Sequence, residues 1–425
     1  MKLLVISAAY PPHRSGEATN AYHLCHNLAE RGVDVHVLTS QGCMDHMHPL
    51  ISLYPVMKYW SWSEMPRMAQ ILKRCAPHAV LLIYIGWVYH YEFMITYAPT
   101  LCRKVLPGVP FVTRFENAMG ADYRFTSFPS RLFRKWMALK HGNEGIDYCY
   151  GTLLRDSDRI IMLSARHRRL LSEVWPLVDQ KAVLIPPPSN MCVSSENPAS
   201  CRAEVRQRYS LPANTFIVTY LGYIHSGKGL DTLLHAFQEV GKGRTNLRLM
   251  LMGGTIDPES GNPTSYAQEL QALSRQLGVG DKVIWTGEYS GMNDTASRLL
   301  WASDVCVVPF AQGVHLNNSS FASAAAHSLP IITTRGADLE EQFVHGENVY
   351  LCPPQSPKDL AAAIRTVMDD LPLRSQLRAG ITQLTAEWFS WDRAVKQTLA
   401  TCQPDTLDVP RDRAVSTGEA SYAGR

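Results

Sequence analysis

The residues best suited to chemistry lie in two stretches of the second half of the chain. From Tyr220 to Asp231 the sequence reads YLGYIHSGKGLD: an apolar run, a glycine-containing turn with Tyr223 in it, Lys228, and the start of a helical pattern. A lysine just ahead of a helix N-terminus opposes the helix dipole, whose positive end prefers an anion. A bound phosphate would remove that conflict, and a solvated loop lysine is the alternative reading. From Pro309 to Thr334 the sequence reads PFAQGVHLNNSSFASAAAHSLPIITT, where a strand pattern ends, Asn317, Asn318, Ser319 and Ser320 follow, and a small-residue helix begins. Backbone N–H groups and short polar side chains converge there beyond the carboxyl end of a strand, which is where open parallel sheets bind ligands. Capping accounts for one of the four side chains but does not need them all.

The first half has one comparable place. After its first apolar run it reads AAYPPHRSGEAT, with Arg14 in the turn and Gly16 opening a helix whose free N–H groups suit an anion. A tight turn alone also explains Gly16. The G-x-G-x-x-G fingerprint of a dinucleotide fold is missing, which argues against a nicotinamide dehydrogenase. Tyr84, Trp87, Tyr89, His90 and Tyr91 follow the third apolar run of this half and could stack on a sugar ring or lie in a core. Tyr123 to His141 interleaves Arg124, Arg131, Arg134, Lys135 and Lys140 with aromatic residues. That pattern could approach an anionic membrane surface or a lipid diphosphate, but a helix packed by its aromatics with a solvated basic face is the favoured reading.

Metals and cofactors find little support. The ten cysteines are scattered without a CxxC pair or a His/Cys cluster, against both zinc and a disulfide framework. The sequence offers no convincing DxD-type carboxylate pair on a loop. A formal net charge of +3 over 425 residues offers no general basic surface, so nucleic acid is not an expected partner. The opening MKLLVISAAYPP reads as a buried strand rather than a signal peptide, because Pro11 and Pro12 end the apolar run without a cleavage-like site. Ala79 to Ala98, the longest apolar stretch, is broken by His90 and Glu92 and makes a poor membrane span. A cytoplasmic protein, able to touch the inner membrane face peripherally, is the expectation.

These residues need elements to hold them. Short β-rich runs alternate with amphipathic helical runs, the pattern of parallel sheets with helices on both faces. In the first half the strands are expected at Leu3–Ser7, Val33–Thr39, Ala79–Ile85, Phe111–Phe115, Arg159–Leu163 and Ala182–Ile185, with a helix over Gly16–Arg31. Pro186, Pro187 and Pro188 and a polar stretch to about Ser200 have linker composition. A second series follows at Phe216–Leu221, Leu247–Met252, Lys282–Trp285, Val305–Pro309, Ile331–Thr334 and Val349–Cys352. The expectation is α/β: two doubly wound, Rossmann-like domains, residues 1–188 and 201–388, facing each other, and a frayed tail at 403–425.

With the order of pieces in view, the chain resembles the retaining glycosyltransferases of family 4, of the two-domain type called GT-B. The likeness covers nearly the whole chain: YPPHRSG resembles the family's first-strand loop, GKGLDTLLHAF its lysine-bearing segment, and HSLPIITTRGADLEE with HGENVYLCPP its donor-domain signature. The resemblance implies a nucleotide diphosphate sugar in an interdomain cleft. Gly16, Tyr223, Lys228, Gly254, Asn317, Asn318, Ser319 and Ser320 would hold it, Lys228 and Glu116 would serve catalysis, and Arg14, Tyr84 and Trp87 would meet a glycan or lipid-linked acceptor. It also implies that a helix at 389–402 returns to the first domain as a hinge, and that no metal is essential. Two glutamates eight positions apart are usual in the family before the Leu-Pro pair; counting from Leu329 and Pro330, His315 and Ser323 stand there. A family arginine ahead of the lysine falls on Tyr223, and a histidine after the fourth strand falls near Phe115 and Glu116. Glu116 could orient a sugar or acceptor hydroxyl, or be a salt-bridged carboxylate. The expected activity is retaining glycosyl transfer in polysaccharide or glycoconjugate assembly; an epimerase or hydrolase of the same fold, and a non-catalytic nucleotide-sugar binder, are the alternatives.

Overall fold

The structure is a computed structural model and describes residues 1–44, 48–119, 146, 149–255 and 265–403. The basic and aromatic segment Tyr123–His141 and the tail beyond residue 403 lie outside the described residues.

Near-continuous apolar runs are the mark of parallel strands covered on both faces, and the first half forms such a sheet. Its strands are β1 Lys2–Ile6, β2 Asp34–Ser40, β3 Ile51–Met57, β4 Ala79–Tyr84, β5 Phe111–Phe115, β6 Arg159–Met162 and β7 Ala182–Leu184, in the order β3-β2-β1-β4-β5-β6-β7. All the pairings are parallel, with Leu3 opposite both Val35 and Ala79. The order reverses between β1 and β4, so the connections on either side lie on opposite faces and leave a crevice at the carboxyl ends of those strands. The strand β3 is absent from the sequence reading. It is a half-buried edge strand carrying Pro55, which an edge tolerates, and its apolar signal is weak for the same reason.

The second half repeats the arrangement with β8 Phe216–Leu221, β9 Leu247–Met252, β10 Val283–Gly287, β11 Val305–Val308, β12 Ile331–Thr334 and β13 Tyr350–Cys352, in the order β10-β9-β8-β11-β12-β13. Its switch point lies between β8 and β11. One core fills this half, from Ile217 and Val218 through Phe321 to Leu377 and Ile381. The first sheet has a core on each face.

The last two helices belong to different cores. Leu371–Trp388 contributes Leu377, Ile381 and Leu384 to the second half. Ser390 then caps a new helix, Trp391–Thr401, its side chain accepting from Arg393 N. Ala394, Val395 and Cys402 pack with Leu3, Val5 and Leu24 of the first half. Trp391 Nε1 donates to Ser189 O at 3.2 Å, so the two chain crossings between the halves are tied together at one place.

Candidate active site

The carboxyl edges of the two sheets face each other across a cleft, and glycines bring the second-half loops close together. A Cβ on Gly253 (φ +151) would lie 1.9 Å from Gly222 O, so the turns after β8 and β9 pass back to back. A Cβ on Gly222 (φ +135) would come within 3.4 Å of Ser320 Cβ, which sets the first turn beside the helix Ser319–Ala326. The short turn Ser226–Lys228 ends at Gly229 in the left-handed region, hard against Pro309 O. Lys228 is thereby half-buried, with Nζ 5.1 Å from the centre of the Phe310 ring. Burial lowers the pKa of its ammonium. Among the described residues no carboxylate comes within ion-pair distance of it, and a desolvated charge without a partner is costly.

Asn318 stands at the N-cap of Ser319–Ala326, yet its side chain does not cap the helix. It turns back instead, Oδ1 accepting from His315 N at 2.7 Å. The expectation that one of the four polar side chains serves as the cap is therefore corrected: the loop's own N–H competes for Asn318. Among the described residues no acceptor meets the N–H groups of Ser319, Ser320 or Phe321, so the helix offers its first turn to a ligand. Asn317 Nδ2 lies 3.3 Å from His167 Nε2 of the first half.

On the facing side Ser15 caps the helix Gly16–Ala29 by accepting from Ala18 N, and a Cβ on Gly16 would meet nothing within 4 Å. Arg14 Nη1 reaches Glu288 Oε2 of the second half at 3.0 Å. A Cβ on Gly254 would touch the same glutamate, at 3.1 Å from Cγ. Burial, then the charges of Glu288 and Glu17, raise the pKa of the Tyr223 phenol. Arg14, Tyr223 and Gly254 thus gather around Glu288, which the sequence reading did not single out. Arg14, expected at the acceptor, thus spans the cleft to the second half.

Glu116 is ion-paired with Arg114 (Nε to Oε1 2.9 Å), and Arg114 Nη2 donates to Asn20 Oδ1 at 2.7 Å. Burial raises the Glu116 carboxyl and Arg114 opposes it. Tyr84 is corrected outright. It is 5% exposed, its hydroxyl donates to Cys149 O, and its ring packs with Tyr89 and Phe115. An aromatic at the end of a strand covered on both faces belongs to the core, so it presents no face to a sugar. Trp87, 42% exposed, and Tyr91, 54% exposed, do remain at the surface.

Residues 14–190 match the model described as Glycosyltransferase Family 4, and residues 215–370 the model described as Glycosyl transferases group 1. The chain belongs to glycosyltransferase family 4. Among curated relatives, the D-inositol 3-phosphate glycosyltransferase of Kineococcus radiotolerans is 27% identical over 259 residues, 57% of this chain and 56% of that protein. The enzyme of the same name from Xylanimonas cellulosilytica is 28% identical over 228 residues, 52% of this chain and 48% of that protein. The chain thus matches about half the length of these relatives. Among solved structures, a glycosyltransferase from Rickettsia africae superposes with a TM-score of 0.70 at 15% identity, covering 94% of this chain and 97% of its own. Sucrose-phosphate synthase from Thermosynechococcus elongatus gives 0.67 at 19%, covering 94% and 98%. HepE from Anabaena, in complex with UDP and glucose, gives 0.68 at 14%, covering 94% and 99%. The fold is GT-B, two Rossmann-like domains of parallel sheet.

Within this family-4 chain, the two positions counted from the Leu-Pro pair have different surroundings. His315 is buried with both ring nitrogens lacking a hydrogen-bond partner, and burial lowers its pKa. Ser323 Oγ accepts from Ser189 Oγ at 3.2 Å, at the crossing between the domains. The sequence reading missed Glu340, His167, Arg114 and Glu288. Glu340 lies in the quoted ADLEE segment and was in that sense visible; the other three had no local signal, because only the fold brings them to the cleft.

Proposed function

We propose that the protein transfers a glycosyl group from a nucleotide diphosphate sugar to an acceptor hydroxyl with retention of configuration. The observation that carries this reading is Lys228, a half-buried cation without a described counter-ion, beside a helix whose first N–H groups are unoccupied. A diphosphate supplies what both lack. In a retaining transfer the leaving diphosphate gains negative charge as the anomeric carbon becomes cation-like, so fixed donors aimed at the phosphate stabilise the transition state. Lys228 and the Ser319–Phe321 amides are suited to that work, and Gly16 leaves room for close approach from the facing domain. The donor's own phosphate oxygen takes the acceptor proton. Glu116, tied to Arg114, orients a hydroxyl rather than acting as a free base. No metal is essential in this mechanism.

UDP-sugars are the first donors to test, because HepE was solved with UDP and UDP-glucose. The acceptor is a glycan or lipid-linked glycan, met from the Trp87 side in cell-surface polysaccharide or glycoconjugate assembly at the inner membrane face. No helix of the described residues is long and apolar enough to cross a membrane.

The test is nucleotide release and product formation with UDP-, GDP- and ADP-sugars, with and without free and lipid-linked glycan acceptors. Lys228→Ala is expected to lower acceptor-dependent turnover roughly 100-fold or more, with an unchanged melting temperature. Donor binding without turnover under every condition would reject the transferase in favour of a binder.

A further inference from the structure

Glu340 does something that the proposed chemistry leaves unused. It lies after β12 in the second domain and is nearly fully buried. Its Oε1 accepts from Ala165 N at 2.6 Å, in the first turn of the first-domain helix Ala165–Val174. Its Oε2 accepts from Leu316 N, also at 2.6 Å, in the loop that leads from β11 to Ser319. One carboxylate therefore holds an N–H from each domain. The helix start suits a carboxylate electrostatically, and each amide would be left unsatisfied if the carboxylate withdrew. The loop it grips is stiff: His315 N donates to Asn318 Oδ1, and Gly313 packs against Gly336 so closely that a Cβ on Gly313 would lie 2.2 Å from Gly336 N. A displacement at Leu316 must therefore move the residues that aim the Ser319–Phe321 amides.

We propose that Glu340 is a positioning residue that couples docking of the first domain to the geometry of the phosphate-facing helix start. When the Ala165 end is seated, the carboxylate is held in place and Leu316 with it. When the domains part, Oε1 loses its donor, the carboxylate is free to turn to water, and the Leu316 loop loosens. The donor site is then complete only in the closed molecule, which limits donor hydrolysis before the acceptor side has docked. This role rests on the reading of the cleft as a nucleotide-sugar site, while the coupling itself is measurable without any ligand.

Ala165→Pro tests it. Ala165 is the first helical position, where proline is tolerated, and the preceding Ser164 has φ −152 and ψ 159, a conformation compatible with a following proline. The variant removes the one N–H that Glu340 Oε1 uses and leaves the Ser164 cap on His167 N intact. In the ligand-free full-length protein, hydrogen exchange of a peptide spanning Val314–Ala322 is expected to quicken about tenfold at Leu316. Glu340→Gln, which cannot accept at both ends, should do the same, and the double variant should be no worse than Glu340→Gln alone. With a turned-over UDP-sugar, kcat should fall about tenfold in Ala165→Pro while acceptor KM holds. Unchanged exchange at Leu316 in a folded Ala165→Pro, or additive effects in the double variant, would overturn the coupling. Coupled exchange with no nucleotide-sugar binding would instead overturn the donor reading and leave the coupling standing.

Discussion

The two domains touch along both rims of the cleft, and one contact from each rim is built differently. At one, Arg14 and Glu288 form an ion pair with side chains 80% and 42% exposed. Exposed pairs of this kind contribute about 0 to 1 kcal/mol and weaken with salt. At the other, the Glu340 side chain is 3% exposed and accepts from backbone groups of both domains. Leaving a buried N–H unsatisfied costs about 1–3 kcal/mol each. Exposed pairs still flank this buried contact, Arg169 with Asp338 and Arg166 with Gln312. The Arg14 rim has a buried contact of its own, His23 Nε2 with Gly291 O at 3.0 Å, so the difference lies between the Glu340 contact and the Arg14–Glu288 pair.

The sharpest way to break this asymmetry is Gly313→Ala. Its φ of +92 and a Cβ position 2.2 Å from backbone N of Gly336 leave no room for relaxation by a flexible side chain. A loss of about 3 kcal/mol in stability is expected, together with most donor affinity, read by thermal denaturation and by titration with UDP. Equal stability in the variant would show that the loop at the Glu340 contact is softer than its packing implies.

Acid should act on the Glu340 rim next. His167 is buried between the domains, and desolvation first, then the charges of His315 and Arg166, lower its pKa to about 4 from 6.5. Between those values the unfolded chain binds more protons than the folded one, so this contribution to stability rises with pH and is lost as pH falls from 6.5 towards 4. The loss is on the order of 3 kcal/mol at most. Glu340, whose carboxyl burial raises, acts in the opposite sense. Comparing melting temperatures of wild type and His167→Gln from pH 7 to pH 4 isolates the histidine: the variant should show the flatter acid limb, and parallel curves would count against it.

The smallest effect belongs to the Arg14–Glu288 pair. A double-mutant cycle on Arg14→Ala and Glu288→Ala should give a coupling below about 1 kcal/mol that fades at high salt. A larger, salt-resistant coupling would reverse the ranking of the two contacts.

The sequence by itself determined the repeating strand and helix pattern and singled out the segments around Lys228 and Asn317–Ser320, because apolar period, glycine turns and polar clusters are local properties of the chain. It was silent about β3, whose edge position and Pro55 weaken the apolar signal, and it misjudged Tyr84, since an aromatic at a strand end reads alike whether its ring faces a cleft or a core. Only tertiary structure decided that Asn318 turns away from its helix, that Arg14 meets Glu288 274 residues away, and that Glu340 joins Ala165 to Leu316. Those contacts depend on how two sheets are set against each other, and no period or motif along the chain encodes a distance between residues that only the packing of separate cores brings together.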